Sequence, residues 1–225
     1  MKTLNVEVAV IGAGTAGLSA YRAAVAGGRR TVLIEGGAYG TTCARVGCMP
    51  SKLLIAASEA AHEPQKWSEF GLRLEGSIAV DGKAVMARVK RERDRFVGFV
   101  LEGVDAIPQS DHIRGYARFV DDTTLAVDDD TRIVFERAVI ATGSSTAIPA
   151  ALRAAGDRMI VNDDVFAWDE LPRSVAVFGP GVIGLELGQS LHRLGVDVLI
   201  FGRSGHVGPF SDPAVRAYAT QTFRK

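Results

Sequence analysis

The only two cysteines in 225 residues stand five positions apart, in Cys43-Ala44-Arg45-Val46-Gly47-Cys48, and Met49-Pro50-Ser51-Lys52 follows at once. Sulfurs at short spacing can cycle between dithiol and disulfide, a two-electron chemistry driven by thiolate attack. On an ideal helix, residues five apart have Cα atoms roughly 8–9 Å from each other. A disulfide wants about 4.4–6.8 Å. A bridge therefore requires a distorted turn, which Gly47 can supply, and a bond closed across such a turn is reducible rather than structural. Two buried thiols with no redox task are the simpler alternative.

The elements that must position this stretch lie on both sides of it. Leu4–Ile11 reads as an apolar strand running directly into Gly12-Ala13-Gly14-Thr15-Ala16-Gly17. Leu18–Ala26 reads as a helix stopped by Gly27-Gly28, and Thr31–Ile34 as a second strand closed by Glu35. That is a G-x-G-x-x-G loop in the βαβ context it requires. Gly12 makes the tight turn, Gly14 lets backbone N–H groups approach a pyrophosphate, and Gly17 allows close helix–strand packing. Glu35 is placed to accept hydrogen bonds from a ribose hydroxyl pair. After the cysteines, Leu53–Ala61 is a run of helix formers that reads as a buried helix, and 62–76 is polar and irregular.

An amphipathic helix is expected from Asp81 to about Glu102, with Val85, Val89, Phe96 and Val100 on one stripe. Its run Lys90-Arg91-Glu92-Arg93-Asp94-Arg95 alternates in sign and reads as a solvated face rather than a binding patch. Three strands are expected at His112–Phe119, Thr123–Val127 and Arg132–Ala141, the last leading into Thr142-Gly143-Ser144. Ala150–Glu170 is a connector. A second βαβ unit then opens, with strand Ser174–Phe178, the loop Gly179-Pro180-Gly181-Val182-Ile183-Gly184, helix Leu185–Leu194 and strand Asp197–Phe201. Two such units imply two dinucleotides.

Composition narrows the class. Lys+Arg and Asp+Glu balance at 26 each, so no net field draws in nucleic acid or an anionic membrane. No apolar run approaches the ~18 residues of a membrane span. The chain runs from Met1 into a strand without a signal-peptide hydrophobic region. The expectation is a soluble, cytoplasmic protein, and a reducing compartment favours a redox dithiol over a structural bridge. His62, His112, His192 and His206 read as surface or partly buried residues, and no metal site is expected.

With these motifs in order, the chain resembles the pyridine nucleotide–disulfide oxidoreductases, the flavoprotein family of dihydrolipoamide dehydrogenase, glutathione reductase and mercuric reductase. The family pattern G-G-T-C-x-x-x-G-C-x-P-S-K is met from Gly40 to Lys52, with Thr41 in place of the second glycine. The resemblance implies an α/β fold. A Rossmann-like FAD-binding domain with a three-stranded β insertion (1–149) is followed by a partial Rossmann-like NAD(P)-binding domain (150–225).

By the same resemblance Cys43 is the interchange thiol and Cys48 the thiol beneath the flavin. Lys52 lies beside the reactive flavin edge, and Glu186 pairs with it. Thr42, Thr142 and Gly143 close on the flavin nucleotide, and the Ala117 backbone meets the adenine. Gly179, Gly181 and Gly184 cradle the second nucleotide. The nucleotide choice is divided: Gly184 as the third glycine is NAD-like, whereas Gly202 stands where an NAD enzyme keeps its acid and Arg203 follows, which leans the choice between NAD and NADP slightly toward NADP(H).

Pro50-Ser51-Lys52 resembles the lipoamide and mercuric branches, and the lack of a leading metal-binding C-x-x-C module turns the reading to a dihydrolipoamide dehydrogenase-like enzyme with a lipoyl-type dithiol substrate. Mercuric or another disulfide reductase is the alternative. Family members are roughly twice this long. The C-terminal dimerisation domain and the partner-supplied base of the homodimer are expected to be absent, leaving this chain alone inactive. A catalytically inactive nucleotide-binding fragment is therefore the contrasting hypothesis.

Overall fold

The computed structural model describes residues 2–203 and 205–223. It divides into two compact units, Met1–Arg45 with Asp94–Ala147 and Val46–Arg93 with Ile148–Lys225. In chain order the elements begin with β1 (Lys2–Ile11), α1 (Thr15–Ala26), β2 (Thr31–Glu35), α2 (Thr42–Val46), α3 (Cys48–His62) and α4 (Gly82–Asp105). They continue with β3 (His112–Arg114), β4 (Ala117–Asp121), β5 (Thr124–Val127) and β6 (Thr131–Ile140). Last come β7 (Ser174–Phe178), α5 (Val182–Arg193), β8 (Asp197–Phe201) and α6 (Pro213–Phe223).

The first unit is built on a six-stranded sheet of order β3-β2-β1-β6-β5-β4. β1 lies between two parallel neighbours, with Ile11 opposite both Ile34 of β2 and Ile140 of β6. A strand so placed has both faces covered, which is why Val8–Ile11 is an unbroken apolar run. The strand period of two separates the faces. Ala9 and Ile11 pack with Val32, Ile34, Leu125 and Ile133 on one side. Val8 and Val10 pack with Leu33, Leu18 and Tyr21 of α1, and Val104 of α4 on the other. Tyr21 Oη donates to Asp111 Oδ2 at 2.8 Å, and burial followed by that carboxylate pushes its pKa to about 12.

The strand expected at His112–Phe119 is broken in two. Gly115 takes φ +144°, and a Cβ there would lie 2.4 Å from Asp128 Oδ2. β3 stays parallel to β2, while β4 runs antiparallel to β5, and β5 to β6. The expected insertion is thus made of β4, β5 and the first part of β6.

In the second unit β7 and β8 form a parallel pair, in register from Ser174–Asp197 to Phe178–Phe201. The core joins Leu54 of α3, Met86 and Val89 of α4, Leu187 and Leu191 of α5, and Val165 and Phe166 from a 3-10 turn at Asn162–Ala167. α3 is buried along one face only, at Leu54 and Ser58, while Ala56 and Ala60 are exposed. The stripe expected on α4 holds except at one position: Val89 is buried, Val85 and Val100 are half-buried against the cores of their units, and Phe96 is exposed, while Met86 is buried beside Val89. The charge run on α4 is also less solvated than expected, because Lys90 pairs with Asp169 and Arg93 Nη1 donates to the Phe166 carbonyl at 2.9 Å. Residues 63–70, expected to be irregular, form a 3-10 helix ended by Gly71 at φ +73°.

α3 and α5 lie parallel. Lys52 Nζ meets Glu186 Oε1 at 2.8 Å, and two helical turns further along both helices Glu59 pairs with Arg193. The signs are reversed between the two pairs. An antiparallel arrangement would set Lys52 against Arg193 and Glu59 against Glu186, so the observed direction is the one in which both pairs are complementary. No helix among the described residues is long and apolar enough to cross a membrane.

Candidate functional site

The cysteine stretch is not one helix. α2 ends at Val46 and α3 begins at Cys48, with Gly47 between them at φ −123° and ψ −119°, neither helical nor extended. This is the distorted turn that the cysteine spacing calls for. Cys43, half-buried on α2, belongs to the first unit, and Cys48, exposed at the first residue of α3, to the second; both are thiols. Buried Pro50 sits in the first turn of α3, where its missing N–H costs no helical bond.

Thr41, which departs from the family pattern, takes φ +59°. A β-branched residue enters that left-handed region at a cost. Its hydroxyl accepts from the Ala44 N–H at 3.1 Å, capping α2.

The first glycine loop joins β1 to α1. Gly12 has φ +103°, and a Cβ on it would fall 2.3 Å from the Ala141 carbonyl oxygen. A Cβ on Gly17 would fall 1.7 Å from the Gly12 oxygen, whereas around Gly14 nothing lies within 4 Å. The loop is therefore closed beneath and open at its rim, as a backbone cradle for a phosphate must be. The first turn of α1 carries neither an acidic residue nor a capping side chain, which leaves its N–H groups to an anion.

Around this cradle the fold gathers the other expected residues. Glu35 ends β2, and its Oε2 accepts from Ala13 N–H at 2.8 Å and its Oε1 from Gly37 N–H at 2.6 Å. The Glu35 carbonyl accepts from Gly115 N–H at 3.1 Å, and Tyr116 packs against Gly36, which brings the segment leading into Ala117 beside Glu35. Ala141 N–H donates to the Ile11 carbonyl at 2.8 Å, so Thr142 and Gly143, the latter at φ +72°, leave β6 against the loop. Thr42 opens α2 and is exposed.

The second loop repeats the plan. Gly179 has φ +123°, a Cβ on Gly184 would lie 2.1 Å from its oxygen, and Gly181 faces open space. The first turn of α5 again lacks an acid and a capping side chain. Glu186 follows on α5 and meets Lys52 of α3. Arg203 is exposed in the loop after β8. Among the described residues no group of His, Cys, Asp and Glu could hold a metal ion.

Sequence reasoning passed over Ala13 and Gly37, whose N–H groups hold the Glu35 carboxylate. The signal was present: the second position of such a loop must carry an N–H if it is to bond the acid, and alanine does. It also passed over Arg114, which lies over the Tyr39 ring at 5.0 Å and donates to the Gly37 carbonyl, fixing the loop after Glu35.

Residues 6–225 match the family model described as pyridine nucleotide-disulphide oxidoreductase. A mercuric reductase of Shigella flexneri is 34% identical over 223 residues, which cover 97% of this chain and 39% of the relative. Dihydrolipoyl dehydrogenase 2 of Haloarcula marismortui is 32% identical over 210 residues, 88% of this chain and 43% of the relative. The HOCl-induced flavoprotein disulfide reductase RclA of Escherichia coli shares the fold, with a TM-score of 0.80 at 23% identity over 97% of this chain and 47% of that one. The chain thus spans less than half the length of each of these proteins.

Proposed function

Because the chain belongs to the pyridine nucleotide-disulphide oxidoreductases, we propose that it serves a dihydrolipoamide dehydrogenase-like reaction, in which reducing equivalents move between NAD(P)H, FAD and a Cys43–Cys48 dithiol. The family is FAD-dependent and uses NAD(P)H. The observation that carries the reading is the Lys52–Glu186 pair, because it ties the helix that begins at Cys48 to the helix that begins at the second glycine loop.

In this reading residues 1–149 form the flavin domain and 150–225 belong to the pyridine nucleotide domain. Gly12, Gly14, Gly17 and the α1 amides would hold the FAD diphosphate, Glu35 the adenosine ribose, and Ala117, Thr142 and Gly143 the rest of the nucleotide near Thr42. Gly179, Gly181 and Gly184 would hold the second diphosphate, with Arg203 facing a 2′-phosphate. Bound flavin supplies two-electron hydride chemistry.

The chain's own residues supply the sulfur steps. The Cys43 thiolate attacks a substrate disulfide, forming a mixed disulfide and releasing one substrate thiol. The Cys48 thiolate then attacks Cys43 Sγ, releasing the second substrate thiol and leaving the Cys43–Cys48 disulfide. Run in reverse, the same steps oxidise a dithiol. The Lys52 ammonium stabilises negative charge near the sulfur–flavin junction, and Glu186 orients it.

A lipoyl-type substrate, supported by relatives named dihydrolipoyl dehydrogenase, completes the reading, together with a homodimer in the cytoplasm. A mercuric substrate is the second reading, favoured by the 34% identity to a mercuric reductase.

The test is a spectrum and a thiol titration on the purified chain supplied with FAD, with the two cysteines first oxidised. A flavin band that stays with the chain through gel filtration is expected, with two new thiols on adding NADPH and none in Cys48→Ser. A colourless chain, or thiols that do not appear, would count against the reading. Parallel turnover with lipoamide and with Hg(II), measured on a polypeptide of the relatives' full length, separates the two substrate readings.

A further inference from the structure

The two glycine loops are built alike and differ at two positions that touch each other. In the first, Gly12 N–H donates to the Ile34 carbonyl at 2.8 Å; in the second, Gly179 N–H donates to the Phe201 carbonyl at 2.9 Å. This equivalence sets Gly202 in the place of Glu35 and Pro180 in the place of Ala13.

In the first unit the pair is bonded, Ala13 N–H to Glu35 Oε2 at 2.8 Å. In the second neither half of that bond can form. Pro180 has no N–H to offer, and its ring fills the space that the carboxylate's stem would need. A Cβ on Gly202 would lie 2.6 Å from Pro180 Cγ and 2.9 Å from Cδ, atoms that a ring closed on the backbone cannot swing aside. The backbone of Gly202 is not left-handed, so glycine is required there for space and not for conformation. The Pro180 carbonyl accepts from Gly208 N–H at 2.7 Å, so the backbone beyond Arg203 returns to the same residue.

We propose that Pro180 and Gly202 act as one specificity-determining pair for the second dinucleotide. Together they delete the ribose-binding carboxylate and leave the 2′ position to Arg203, so that the 2′-phosphorylated nucleotide is preferred. A carboxylate at 202 would bond a free 2′-hydroxyl and repel a 2′-phosphate. The proposal rests on the reading of the second loop as a pyridine nucleotide site.

Two measurements on the chain test it. The first needs no nucleotide. Overpacking by Gly202→Ala lowers the unfolding midpoint by roughly 3–8 °C in the parent chain, and by less than half as much when Pro180→Ala is already present. The second is direct titration with NADPH and NADH. The parent prefers NADPH, and Arg203→Gln weakens NADPH about tenfold or more with NADH unchanged. Gly202→Glu alone gains nothing for NADH. Pro180→Ala with Gly202→Glu, which rebuilds the Ala13–Glu35 arrangement, moves the preference toward NADH by about 10- to 100-fold.

Additive midpoint shifts, or Gly202→Glu alone matching the double variant, would overturn the pair. A parent chain that prefers NADH overturns the proposed selectivity while the loop remains a nucleotide site. One that binds neither nucleotide overturns the reading of the loop, and the pair's selectivity with it.

Discussion

The two ion pairs between α3 and α5 separate a chemical role from a structural one. Lys52 and Glu186 meet at 2.8 Å, where unit charges in bulk water attract by about 1.5 kcal/mol. Their side chains are 59% and 36% exposed, so screening and side-chain entropy reduce the net contribution to below about 1 kcal/mol. The Arg193 side chain is only 19% exposed, and removing its carboxylate partner leaves a largely covered charge with a lost bond, at a cost of about 1.5–3 kcal/mol. Glu186→Gln should therefore lower the thermal midpoint by no more than about 4 °C, and Glu59→Gln by roughly 4–10 °C. If Lys52 serves the sulfur chemistry, the order reverses in the functional assay. Glu186→Gln and Lys52→Met slow the appearance of thiols after NADPH addition by tenfold or more, while Glu59→Gln, compared below its own midpoint, leaves that rate within about twofold. The assays are circular dichroism melting and stopped-flow thiol titration on the same preparations. A Glu186→Gln chain that melts as low as Glu59→Gln yet releases thiols at the parent rate would refute the reasoning and reduce the pair to a helix clamp.

Two further outcomes follow from local geometry. Thr41→Val keeps the side-chain shape and the left-handed backbone but removes the acceptor for Ala44 N–H, and should cost about 1–2 kcal/mol in urea unfolding. Thr41→Gly relieves the strain while losing the same cap and should stay within about 1 kcal/mol of the parent; a valine variant as stable as the parent would show that the cap contributes nothing. The pKa of His62 is held below its ordinary 6.5 by burial first, then by Arg193 and Lys66. The unfolded chain therefore takes up the proton first as pH falls, so this residue costs no stability well above 6.5 and an increasing amount as pH drops through that value. His62→Gln should flatten that part of the curve of midpoint against pH between about 7 and 5, and an unchanged slope would assign it to other groups.

Much of this architecture was legible in the residue order. The strand–glycine–helix–strand units were readable because positive φ and close backbone approach are demands that few residues other than glycine meet, and because strand and helix periods are local. β7 and β8 fall on the expected residues, and Glu35 stands at its strand end. Other features were hidden by the same locality. The split at Gly115 lies within a segment of strand-like composition, and it takes the tertiary structure to show that a φ of +144° and the approach of Asp128 require glycine there. Phe96 fits the helical stripe by spacing, yet it is exposed while Val89 before it and Val104 after it are buried.

By itself, then, the sequence determined the two glycine-rich loops, the cysteine pair between them and the family to which the chain belongs, since each is a local pattern of backbone permission and side-chain chemistry. The tertiary structure alone decided which of those residues meet. Lys52 reaches Glu186 because two helices lie parallel with complementary charges, and Pro180 closes on Gly202 because a strand end returns beneath a loop more than twenty residues earlier. Both contacts depend on register across segments distant in the chain, which short-range preference does not encode.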